Sequence, residues 1–101
     1  MQDILQELET ILPDGVRLLE RIVNLESPSY DPALVNGLVE FLADEFGKLG
    51  GETTRIPEED CGDHMVIRFP GESDTPIMLL GHTDTVWPEG TLKRRPFNVT
   101  G

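Results

Sequence analysis

The segment Leu79-Leu80-Gly81-His82-Thr83-Asp84-Thr85-Val86 holds the residue types best suited to chemistry in this chain. A histidine and an aspartate stand two residues apart at the end of an apolar run. In extended chain, residues i and i+2 face the same side, so His82 and Asp84 can converge on one site. Neutral imidazole is a good zinc ligand. A ligating histidine holds its second ring nitrogen against a partner, commonly a carboxylate, which sets the tautomer. The pattern points to His82 as a metal ligand and Asp84 as the residue that orients it. The alternative is a plain hydrogen-bonded histidine–carboxylate pair at a strand end. Gly81 lets backbone pack closely beside the pair.

Other residues offer less. Cys61-x-x-His64 together with His82-x-Asp84 supplies four possible ligands for a single self-contained zinc. Cys61 and His64, however, belong to a loop and to the start of a different strand. An ordinary free cysteine and a half-exposed strand histidine are the competing reading. Ser27 and Ser29 flank Pro28 without a base or an oxyanion hole, which argues against a serine nucleophile. Glu58-Glu59-Asp60 lacks the spaced ligands and turn glycine of a calcium loop, and reads as a solvated stretch. Arg94 or Arg95 could form a bidentate pair with a substrate carboxylate, although a surface turn is the simpler assignment. Trp87 either lines the mouth of a cleft or packs on the strand end.

The elements that must carry these residues are legible from periodicity. Leu5, Leu8, Leu12, Val16, Leu19 and Val23 recur every three or four residues, which predicts helix over 3–25. Pro13 lacks an N–H and crowds the preceding turn, so this region is either two short helices or one kinked helix. Ser27-Pro28-Ser29-Tyr30 is a breaker. Asp31 caps a second helix, with Pro32 in its first turn. Leu34, Val35, Leu38, Leu42, Phe46 and Leu49 form its apolar stripe, and Gly50-Gly51 ends it. Thr53–Ile56 suits a short strand. His64–Phe69 alternates, with Met65, Ile67 and Phe69 on one face. Ile77-Met78-Leu79-Leu80 does not alternate and reads as a central strand covered on both faces. Residues 82–101 read as loop, with Phe97-Asn98-Val99 a possible short strand. Two helical segments followed by three strands imply an α/β layer with helices against a sheet. That sheet looks unfinished, because its central strand lacks a neighbour on one edge.

Composition bounds the partners. The 101 residues carry 8 basic and 19 acidic side chains, for a formal charge of −11. Three of the basic residues are the run Lys93-Arg94-Arg95. Such a surface repels nucleic acid and anionic membranes. One cysteine excludes an internal disulfide. No apolar run approaches the ~18 residues of a membrane span, and no secretory leader is visible, so a cytoplasmic location is expected.

Taken in order, these segments resemble the M20 family of zinc-dependent peptidases and amidohydrolases. Gly81-His82-Thr83-Asp84-Thr85-Val86 looks like the family's first metal-site motif. Leu25-Glu26-Ser27-Pro28-Ser29 resembles the stretch after its first helix, and Leu49-Gly50-Gly51-Glu52 its turn from second helix to first strand. Gly62-Asp63-His64-Met65-Val66 and Phe69-Pro70-Gly71 resemble its second strand and the turn that follows. Trp87-Pro88-Glu89-Gly90-Thr91-Leu92 and Pro96-Phe97 are similar to the glutamate-carboxypeptidase branch. The likeness covers about nine tenths of the chain.

The resemblance implies a function. Members hold two zinc ions with a bridging water or hydroxide, and hydrolyse peptides ending in glutamate or N-acyl amino acids. It implies His82 as a zinc ligand and Asp84 as its orienting partner. It also implies that residues 1–101 form the N-terminal part of a three-layer αβα catalytic domain. The family's dimerisation domain is absent from them, although the parent enzyme is expected to be a homodimer. The bridging aspartate, further acidic ligands, the distal histidine and the general-base glutamate would follow residue 101. On that basis the 101-residue chain is expected to be inactive alone. The alternatives are a non-catalytic remnant acting only by association, or the deacetylase and desuccinylase branch of the same family.

Overall fold

The structure, a computed structural model, describes residues 2–101. Helix α1 spans Gln2–Val23 and runs without interruption through Pro13. The proline removes one hydrogen bond from the helix interior but does not split it, so of the two alternatives, two short helices or one helix, the single helix forms. The apolar stripe of α1 is where the sequence places it, yet it is largely uncovered. Leu5, Leu8, Leu12 and Leu19 all remain half or more exposed. The contacts that tie α1 to the second helix gather near its C-terminal end. There the Arg21 guanidinium lies 4.6 Å from the Phe41 ring centre and 3.4 Å from Glu45 Oε1.

Helix α2 spans Pro32–Lys48, and both its ends are built as the sequence predicts. The Asp31 carboxylate accepts the Leu34 N–H at 3.1 Å and so satisfies a donor left free by the first turn. At the other end Gly50 turns into the left-handed region at φ +89. The Gly50 N–H donates to Gly47 O and the Gly51 N–H to Phe46 O, both at 3.0 Å. This paired arrangement satisfies carbonyls that the last turn leaves open.

Strands β1 (Glu52–Ile56) and β2 (His64–Arg68) pair antiparallel, with Glu52 opposite Arg68 and Ile56 opposite His64. Met65 and Ile67 of β2 are partly covered while His64, Val66 and Arg68 face outward, which is the predicted alternation. Phe69 meets Phe46 edge-to-face at 6.2 Å and locks the hairpin to α2. The connecting loop also docks on α2. The Asp63 N–H donates to Asn36 Oδ1 at 2.7 Å, and Arg55 pairs with Asp63 at 2.8 Å. Gly62 sits so close that a Cβ there would lie 2.6 Å from Val35 Cγ1, and its φ of +90 suits glycine alone. The buried apolar side chains among the described residues are Val35, Leu38 and Val39, all on α2.

Two helices and a two-stranded antiparallel sheet make an α/β arrangement with an incomplete sheet, as the element order implies. The third strand expected at Ile77–Leu80 does not form. These four residues pair with nothing in the sheet and stand 82–94% exposed. A run without alternation needs cover on both faces and a partner on each edge, and the described residues supply neither. Phe97–Val99 likewise forms no strand, whereas Thr91–Arg94 makes one helical turn, α3. The Cα radius of gyration is 15.8 Å. About 13 Å would be usual for this length, so the chain is loosely gathered around α2 and the hairpin.

Candidate functional site

The loop between α1 and α2 positions His82 and Asp84. Pro28 and Thr85 form an isolated parallel bridge. The Thr85 N–H donates to Ser27 O, and the Ser29 N–H donates to Thr85 O, each at 2.8 Å. The Ser27 side chain is buried and donates to Thr83 O at 2.8 Å. Residues 27–29 therefore grip 83–85 from across the chain, although neither segment belongs to a sheet. Tyr30, next in sequence, takes φ 65, a region uncommon for residues other than glycine. The bonds at Ser29 and the Asp31 N–H to Pro28 O bond of 3.1 Å fix the backbone on either side of it.

Within that grip His82 and Asp84 meet. Asp84 Oδ1 lies 3.2 Å from His82 Nδ1, and the Asp84 backbone carbonyl lies 2.9 Å from the same nitrogen. Both oxygens are acceptors only, which assigns a proton to Nδ1 and, in the neutral ring, leaves the lone pair on Nε2. The other carboxylate oxygen, Oδ2, accepts from Ser29 Oγ at 2.5 Å. That bond is the main cause that holds the Asp84 carboxyl below the ordinary aspartate range; burial opposes it, and the bond from His82 adds to it. The His82 side chain is 82% exposed, so hydrogen bonds rather than packing decide its orientation.

A second carboxylate braces the segment further along. Glu26 accepts the Gly90 N–H at 3.0 Å and the Leu92 N–H at 3.2 Å. The Gly90 bond is the main cause of a lowered Glu26 pKa, opposed by burial and aided by Leu92. Thr91, itself buried, donates from Oγ1 to Pro88 O at 2.6 Å. Trp87 stacks with Arg95, whose guanidinium lies 4.9 Å from the ring centre. Both border a cavity of about 400 Å³ with Ile22, Leu25 and Leu92, so Trp87 lines a recess. Lys93 and Arg94 face solvent on α3.

The four ligands of the self-contained zinc site are not brought together. Among the described residues no group of three or more His, Cys, Asp and Glu side chains gathers in a way that could hold a metal ion. Burial raises the Cys61 thiol pKa, and the nearby carboxylates of Glu58, Asp60 and Asp84 add to the effect. The thiolate that zinc requires is therefore disfavoured. His64 sits exposed on β2. His82 with Asp84 fits one ligand position and its orienting partner. The donor set present does not fit a complete catalytic zinc centre, which takes three protein ligands.

Sequence reasoning located His82 and Asp84 but assigned no role to Glu26, Ser27 or Ser29. Their contacts lie more than 50 residues away along the chain, and spacing carries no signal for them. The described residues contain no helix long and apolar enough to cross a membrane.

No protein-family model matches the chain. The chain is 32% identical over 91 residues to carboxypeptidase G2 of Pseudomonas sp. (strain RS-16). That alignment covers 88% of this chain and 22% of the relative. The chain thus spans about a fifth of the length of the curated protein it matches, and the similarity establishes a distant relationship to a carboxypeptidase.

Proposed function

We propose that residues 1–101 are the N-terminal part of the catalytic domain of a zinc-dependent hydrolase of the carboxypeptidase type. Its substrates would be peptides with a C-terminal glutamate or N-acyl amino acids. The observation that carries this reading is the His82 imidazole, held through Nδ1 by Asp84 with Nε2 free and outward. That is the state in which a histidine ligates a metal. The distant likeness to carboxypeptidase G2 supports the same reading. When bound, zinc would polarise the scissile carbonyl and lower the pKa of water. His82 would contribute one ligand, Asp84 would orient it, and the 27–29 loop would hold both in place. The remaining ligands and the general base would come from elsewhere, so the 101-residue chain does not turn over substrate by itself.

The test has two arms. The 101-residue chain with added zinc should give no hydrolysis of an N-acyl-glutamate. Turnover that disappears in His82→Ala would contradict the assignment of the remaining machinery to other residues. In the full-length gene product His82→Ala should lose both bound zinc, measured by elemental analysis, and hydrolysis. Retention of both would overturn the ligand role.

A second reading, a non-catalytic chain that acts by association, is favoured by the uncovered apolar residues of α1 and of Ile77–Leu80. Size-exclusion chromatography decides it: a concentration-independent monomer argues against association.

A further inference from the structure

We propose that Ser29 is a positioning residue that sets the tautomer of His82 through Asp84. The functional consequence rests on the reading of His82 as a ligand, but the positioning itself is a property of the metal-free chain. A serine hydroxyl has one proton to give. Two acceptors lie in reach of Ser29 Oγ, Asp84 Oδ2 at 2.5 Å and Thr85 O at 3.0 Å. Thr85 O already accepts the Ser29 N–H at 2.8 Å. The shorter bond is to a carboxylate, and hydrogen bonds to charged acceptors are the stronger ones. The proton therefore goes to Asp84.

This bond has a directional effect. The terminal torsion of an aspartate is broad, so a carboxylate held by one oxygen alone swings readily. Here the two oxygens divide their work, Oδ2 to Ser29 and Oδ1 to His82 Nδ1. Ser29 is itself fixed by its backbone bond to Thr85. The anchor thus runs from the α1–α2 loop through Ser29 and Asp84 to an imidazole that packing leaves free. Without the hydroxyl, Oδ1 loses its fixed aim and Nδ1 keeps only the Asp84 backbone carbonyl at 2.9 Å, so the ring shifts toward the Nε2–H form that free histidine favours. In that form the outward nitrogen has no lone pair to offer a metal.

The experiment is a long-range proton–nitrogen correlation spectrum of the ¹⁵N-labelled, metal-free chain, at a pH where both histidines are neutral. Wild type should show His82 protonated at Nδ1. Ser29→Ala should give a several-fold fall in the Nδ1–H to Nε2–H ratio at His82, with the His64 signals unmoved as an internal control for folding. Ser29→Thr, which keeps the hydroxyl, should restore the wild-type ratio, and Ser29→Val, of the same shape without it, should not. Equal ratios in the threonine and valine variants, or an unchanged ratio in Ser29→Ala, would overturn the proposal while leaving the ligand role of His82 standing. An Nε2–H majority in wild type would overturn the ligand role as well.

Discussion

The α2–hairpin unit and the segment from Pro76 to Val86 are both rich in apolar residues, yet they are held in opposite ways. In the first, apolar side chains carry the structure. Val35, Leu38 and Val39 are buried, Phe46 meets Phe69, and both helix ends are capped by neighbours in sequence. In the second, Ile77 to Leu80 point into solvent, and position comes from polar bonds to Ser27 and Ser29 some 55 residues away. The difference teaches that the candidate site is held by polar bonds and not by packing. A hydrogen bond nets only about 0.5–1.5 kcal/mol, whereas full burial of a large apolar side chain contributes about 1.5–3. The hairpin unit is therefore the stable part of the chain, and the site segment the part most easily released.

The comparison can be broken by paired truncations. Leu38→Ala, at a position 2% exposed, should cost about 2–5 kcal/mol in urea unfolding, while Leu79→Ala, 94% exposed, should stay within about 0.5. Equal losses would show that the 77–80 run is packed like the core. Next in size is Gly62→Ala. Its φ of +90 and the 2.6 Å approach to Val35 strain any side chain there, and a loss of about 1–3 kcal/mol is expected. A neutral result would mean the hairpin loop is not seated on α2.

The smallest effect concerns Glu26 and sharpens the view of the pinned region. Its folded pKa lies below the ordinary glutamate value, chiefly through the Gly90 N–H. The stabilisation is therefore complete above the unfolded pKa and is lost as pH falls through the folded one. The fluorescence of Trp87, the sole tryptophan, should change over that acid window, and Glu26→Gln should flatten the change. An identical acid transition in the variant would remove Glu26 as the brace.

Local chemistry made much of the molecule legible. The Asp31 cap, Pro32 in the first turn and Gly50-Gly51 at the end act on targets no further than Phe46 is from Gly51, so α2 could be read with both boundaries. The alternation of Met65, Ile67 and Phe69 did the same for β2. His82 and Asp84 were legible because their contact spans only two residues. Pro13 left one helix or two open, and the structure forms one, because removing one hydrogen bond from a 22-residue helix need not divide it. Ile77–Leu80 misled. Its composition demands a sheet interior, but a strand exists only where another backbone accepts its hydrogen bonds.

Residue type and spacing singled out His82 and Asp84 as candidates for chemistry and determined which stretches could be helix or hairpin, because those readings depend on neighbours a few residues apart. The grip of 27–29 on 83–85, the Glu26 brace and the uncovered state of α1 and of 77–80 were decided by the folded arrangement. Each depends on groups distant in the chain, and pattern along a sequence carries no information about which distant groups meet.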